Sequence, residues 1–183
     1  MDAVVRVADG PFATTRIARR GRGGSFPAHI LGALPVGVAS FAVTVVIRAL
    51  AASNWRPEQM DVFAPLKLMS SWSTDDWTRF YLPGAAVLTP VYETLLFLAL
   101  LKVFGRGRTA IGGLLFVLSM FIAGWVLHGS NAASLGQAVG FTFLALWCWK
   151  VAVRFGDGAA YWLTALAHGA WNASLYLFWL YGH

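Results

Sequence analysis

Apolar residues run through the chain in five stretches, near 27–52, 80–104, 109–128, 133–155 and 157–181, with polar and charged residues gathered between them. A helix rises about 1.5 Å per residue and the hydrocarbon layer is about 30 Å thick, so about 20 apolar residues suffice to cross it. Each stretch meets that length. The pattern therefore predicts an all-α fold, a polytopic membrane bundle of about five transmembrane helices. Ahead of it lies a polar arm, 1–26, with Arg6, Arg16, Arg19, Arg20 and Arg22. The remainder, 27–183, reads as a single transmembrane domain with one long polar loop, 53–79, and a core over 80–181. Trp55, Trp72 and Trp77 in the loop suit the headgroup region. Trp147, Trp149, Tyr161, Trp162, Trp179 and Tyr181 fall where aromatic belts form.

Composition narrows the class. Hydrophobic residues make up 58% of the chain and charged residues 12%, against about 25% charged in ordinary globular proteins. Too little polar material is present to cover a water-soluble surface, which excludes a disordered segment, a coiled coil and a conventional soluble enzyme. The single cysteine, Cys148, lies in an apolar run, so neither a disulfide framework nor a Cys-based metal site can be built. A net charge of +6 does not indicate nucleic acid, because the basic residues punctuate the apolar stretches instead of sharing a face.

Their distribution indicates topology. Lys102, Arg106, Arg108, Lys150 and Arg154 fall on the arm's side, and Arg48, Arg56, Lys67 and Arg79 on the other. The positive-inside rule then places the N-terminus in the cytoplasm and the C-terminus on the opposite side. A signal peptide ending at Ala49-Leu50-Ala51 is the rival reading. Its apolar core would be too long, and Arg48 interrupts the approach to the site.

With the spans drawn, the polar residues left inside them carry the information, since lipid tolerates ionisable groups only where they face a bundle interior. Glu93 is the one acidic residue deep in a span; the other seven lie in the arm, the long loop or a span boundary. Beside it stand His128, Gln137, His168 and Asn172. His168 and Asn172 are four apart and share a helix face. Glu93 follows Pro90 by nearly one turn, and a proline frees a carbonyl that a polar cavity can accommodate. Gly124, Gly129 and Gly169 allow helices to approach closely around these groups. A carboxylate beside an imidazole can activate a water to attack a carbonyl, while a second imidazole and a carboxamide donate to the oxyanion. That chemistry is proteolysis within the membrane.

The segment Pro90-Val91-Tyr92-Glu93-Thr94-Leu95-Leu96-Phe97-Leu98 resembles the first motif, EExxxR, of the CPBP family of intramembrane proteases, which includes CAAX prenyl endopeptidases and bacteriocin-processing enzymes. Leu166-Ala167-His168-Gly169-Ala170-Trp171-Asn172 resembles its third motif, HxxxN, and Gly124 to His128 is similar to its second, FxxxH. The resemblance spans about Phe80 to the C-terminus. It implies a glutamate-dependent peptidase without a metal cofactor, with Glu93 as the water-activating residue, His128 and His168 as its partners and Asn172 as an oxyanion stabiliser. The implied partners are the lipid bilayer and a membrane-associated protein or peptide bearing a leader or anchor, with no nucleic acid, and the implied location is a bacterial inner membrane. Thr94, Leu98 and Gly124 stand where the family has its second Glu, its Arg and its Phe. The loss of the Glu–Arg pair marks a divergent branch or a non-proteolytic relative.

Other readings of the same residues stand beside this one. Glu93 can be a protonated carboxyl bonded between helices, and His128 an interfacial cap of the third span. Gly136 and Gly140, a GxxxG spacing, serve either packing within the chain or dimerisation. Gln137 joins the pocket or bonds a neighbouring helix. Asn172-Ala173-Ser174 fits a glycosylation pattern but lies in mid-span, and His29 and His183 receive no role. Zinc at Glu93, His128 and His168 is an alternative without an HExxH motif to support it. Rival functions are a proton-coupled transporter component using Glu93 and His168, a b-type haem protein with His128 and His168 as axial ligands, and a non-catalytic relative of the protease fold.

Overall fold

The computed structural model describes residues 26–54, 73–130 and 132–181. The arginines of the arm, Trp55, Trp72, Arg56, Lys67 and His183 lie outside the described residues, as do the side chains of Trp77 and Trp179. The described chain is an all-helical bundle of five long helices: α1 (Phe26–Asn54), α2 (Thr74–Phe104), α3 (Ala110–Leu127), α4 (Leu135–Phe155) and α5 (Asp157–Tyr181). Four of them, α1 to α4, are long and apolar enough to cross a membrane. The expected fifth span forms as α5, of 25 residues, but Asp157, His168, Asn172 and Ser174 hold its apolarity below that of the others. The bundle shelters this helix instead, packing it against α1, α2 and α4.

The largest departure from the sequence pattern is in α2. It starts at Thr74, inside the expected polar loop, because Ser73 and Asp76 cap each other. The Asp76 backbone N–H donates to Ser73 Oγ at 3.1 Å, and the Ser73 backbone N–H donates to Asp76 Oδ2 at 2.9 Å. Above that cap the helix passes through two wider turns, Trp77–Tyr81 and Gly84–Leu88, with i→i+5 hydrogen bonding. At the other edge of the loop α1 continues to Asn54, so the loop is shorter at both ends than the expected 53–79.

Close contact between helices is set by glycines. At Gly37 of α1 an added Cβ would lie 2.1 Å from the Ala167 carbonyl oxygen and 2.9 Å from the Trp171 nitrogen, so the α1 and α5 backbones touch there. Gly136 admits the Thr44 carbonyl and the Arg48 stem, and Gly140 admits the Trp171 ring and the Thr44 hydroxyl. The GxxxG pair thus packs α4 within the chain. Thr44 Oγ1 lies 2.8 Å from the Ser40 carbonyl and 3.0 Å from the Gly136 carbonyl, joining α1 to α4. Phe97, Phe116, Met120, Phe141, Leu144 and Val151 fill the space between α2, α3 and α4. On the side expected to be cytoplasmic, Arg108 pairs with Asp157 and lies over the Trp149 ring, tying the α2–α3 turn to the start of α5.

Overpacking at a rigid backbone contact costs about 1–3 kcal/mol. Gly37→Ala should therefore lower the thermal unfolding midpoint of the purified protein in detergent, whereas Gly158→Ala, where an added Cβ meets nothing within 4 Å, should leave it almost unchanged.

Candidate active site

The bend in α2 creates the geometry of the site. Thr89, at the end of the second wide turn, donates its N–H to the Gly84 carbonyl. The next residue, Pro90, has no N–H, so in the same i→i+5 register the Ala85 carbonyl loses its partner. Asn172 of α5 replaces it, its Nδ2 donating to Ala85 O at 2.6 Å. One turn earlier on α5, Gly169 gives passage to the neighbouring carbonyl: a Cβ there would stand 2.6 Å from Ala86 O. The freed carbonyl expected from Pro90 does exist, at Ala85, and α5 is docked on it.

That docking brings the third residue after Pro90 against α5. Glu93 Oε2 lies 3.4 Å from His168 Nε2, with the Glu93 side chain 28% exposed and that of His168 only 3%. At that distance the pair is in ionic contact, longer than an ordinary hydrogen bond. His168 Nδ1 is buried without a hydrogen-bond partner among the described residues. The imidazole packs on the rings of Phe141 and Trp171, with centroids 5.4 Å away in each case, and those two rings also pack on each other.

Both residues line a cavity of about 190 Å³ together with His128, Gln137, Asn172 and Arg48. At about 30 Å³ per water, it has room for about six. Counting along the helices at about 1.5 Å per residue, Glu93 and His168 each lie 11 residues from the arm-side end of their helix, about 16 Å or roughly mid-bilayer. Arg48 and His128 lie close to the opposite face.

His128 both ends α3 and lines the cavity. It terminates α3, its Nδ1 lying 2.8 Å from the Gly124 carbonyl four residues back. A carbonyl can only accept, so Nδ1 carries the hydrogen and Nε2 is the nitrogen left for the cavity. The two histidines do not touch. Phe141 of α4 stands edge-on to both, 5.3 Å from His128 and 5.4 Å from His168. Gly124 is what lets it stand there, since an added Cβ would lie 2.9 Å from Phe141 Cβ and Cγ. Gly124 thus leaves a gap on α3 that the Phe141 ring of α4 fills. Thr94 is wholly buried and Leu98 packs against the apolar core, so neither position points a polar group into the cavity.

Several cavity residues, Arg48 and Phe141 among them, are not evident from the pattern of apolar stretches. That pattern marks Arg48 only as an outer-face charge, yet it lines the cavity. Phe141 looks like any apolar residue of α4. A sign of Arg48 is nevertheless present: Ser40, Thr44 and Arg48 recur at a spacing of four, one polar stripe along an otherwise apolar α1. Nothing in one sequence distinguishes Phe141 from Phe143, because the difference is which helix each one faces.

Among the described residues no three His, Cys, Asp or Glu groups are placed to hold a metal ion together, so the geometry lends no support to zinc at Glu93, His128 and His168. The cavity is also below the roughly 300 Å³ at which small-molecule sites begin.

Removing the Asn172 amide should take from the Ala85 carbonyl the donor that replaces its helical partner, at a cost of about 1–3 kcal/mol. Asn172→Leu should lower the thermal midpoint and speed amide hydrogen exchange in α2 between 84 and 93, while Glu93→Gln should change neither. No protein-family profile, no curated protein and no solved structure matches this chain, so its chemistry is read from the arrangement of these side chains.

Proposed function

We propose that this protein is a glutamate-dependent intramembrane peptidase, a divergent relative of the CPBP family, that hydrolyses a peptide bond in a membrane-associated protein. The observation that carries this reading is the Glu93–His168 contact at 3.4 Å, at mid-bilayer depth, on the wall of a cavity sized for a few waters. Lipid penalises a carboxylate at that depth, and a structural carboxyl between helices would be sealed off, whereas this one is partly open to the cavity.

In this mechanism His168 donates through Nε2 to one carboxylate oxygen of Glu93, which fixes the orientation of the other. That second oxygen takes a proton from a water held in the cavity. The hydroxide adds to the scissile carbonyl carbon, and the negative charge formed on the carbonyl oxygen is met by N–H donors of the wall. Asn172 retains one N–H for that task beyond the one given to Ala85, and His128 can donate through Nε2 when protonated. The carbon–nitrogen bond then breaks as the proton passes from Glu93 to the leaving amine. The topology is part of the reading: a bacterial inner-membrane protein with its N-terminus in the cytoplasm and the cavity reached from the outer half of the bilayer.

Comparison of protein termini in membranes from cells producing the wild type and Glu93→Gln should reveal termini that form only with the wild type; identical sets would remove the peptidase reading. The topology has its own check. In a Cys148→Ala background, Ser130→Cys should react with a membrane-impermeant maleimide in intact spheroplasts, and Lys102→Cys only after they are permeabilised.

A further inference from the structure

A second cavity, of about 320 Å³, lies at the arm-side end of the bundle, between the last turn of α2, the turn that follows it and the first residue of α5. Leu101, Lys102, Gly105, Gly107, Arg108 and Asp157 line it. Unlike the cavity at Glu93, it falls within the size range of small-molecule sites. Three of these residues are charged. Arg108 pairs with Asp157, and its guanidinium is fixed from two further sides. It lies over the Trp149 ring, 5.8 Å from the centroid, and Gly105 gives it room, since an added Cβ there would stand 3.1 Å from Arg108 Nη1. The Asp157 carboxylate is thereby neutralised within the wall. Lys102 remains, exposed and with no ion pair or hydrogen bond among the described residues. These residues together leave one uncompensated positive charge in the cavity.

The level of that charge decides what it meets. Lys102 stands in the last turn of α2, Ala110 opens α3 and Asp157 opens α5. Along α2, Lys102 is about 14 Å from Glu93, at the edge of a hydrocarbon layer about 30 Å thick, where lipid head groups begin. Val103 of α2 and Ile111 of α3 are exposed apolar side chains at the same helix ends. An ammonium on a flexible stem binds phosphate as a point charge, and basic pockets between membrane helices take anionic head groups.

We propose that this cavity binds the phosphodiester of an anionic phospholipid from the arm-side leaflet, held by Lys102, with the lipid chains lying on Val103 and Ile111. The Arg108–Asp157 pair shapes the wall and does not take the phosphate. The site is separate from Glu93 and independent of the peptidase reading.

The test uses the full-length protein in neutral detergent, with the thermal midpoint followed by tryptophan fluorescence as short-chain phosphatidylglycerol, short-chain phosphatidylethanolamine or inorganic phosphate is added; the dependence on concentration gives each affinity. Phosphatidylglycerol should raise the midpoint in a saturable way and bind more tightly than either of the others. Lys102→Gln should weaken it about fivefold, and Lys102→Arg should keep it near that of the wild type. Asp157→Asn releases the Arg108 guanidinium into the cavity, so it should bind phosphatidylglycerol more tightly, a change that loss of a purely structural contact would not give. If the Asn variant does not fold, the Lys102 variants decide alone. An affinity unchanged in Lys102→Gln, phosphatidylethanolamine binding as tightly as phosphatidylglycerol, or inorganic phosphate binding as tightly as the lipid overturns the inference.

Discussion

Inside hydrocarbon a backbone carbonyl that loses its helical N–H has no water to bond instead, and Pro90 produces such a carbonyl at Ala85. The bundle answers with a side chain from another helix: Asn172 donates to Ala85 O at 2.6 Å, and Gly169 leaves space for Ala86 O beside it. The position of α5 relative to α2 follows from this pairing. Because Asn172 and His168 sit one turn apart, the turn that repairs the proline break also carries the imidazole to Glu93. Structural repair and candidate chemistry thus share one contact surface, which makes Asn172 a residue of both.

The second constraint is closeness. An imidazole and a carboxylate on different helices meet only if those helices and their neighbours approach without intervening bulk. Gly37 sets the approach of α1 to α5, Gly136 and Gly140 that of α4 to α1 and α5, and Gly124 that of α3 to α4. In lipid such contacts are the main source of helix association, since the hydrophobic effect does not favour one apolar face over another. The space opened at Gly124 is filled by Phe141, whose ring packs on both histidines as well as on Trp171 and Phe97. The ring packs on both imidazoles, one from α3 and one from α5, and both of these line the cavity.

Much of this site is legible in the amino-acid sequence alone. Lipid makes charge costly, so Glu93 stands out as the single carboxylate deep in a span, and the spacing of His168 and Asn172 places them on one helix face. Pro90 announces a freed carbonyl. The partner of each group is what the sequence conceals. The capping pair Ser73 and Asp76 lies in a stretch whose polarity resembles a loop, the wide turns of α2 leave no periodic signature, and Arg48 passes for a surface charge although Ser40 and Thr44 precede it at helical spacing.

The all-α bundle, the approximate helices and the chemical types available inside it follow from the order of residues alone, because the cost of polar groups in lipid acts residue by residue along the chain. The tertiary structure adds the neighbours of each group: Asn172 on a broken turn of α2, Phe141 against both histidines, Arg48 in the lining of the cavity. Helical periodicity records which residues share a face. It does not record which face meets which, and that is settled by close packing at glycines and by the need of every buried carbonyl for a donor.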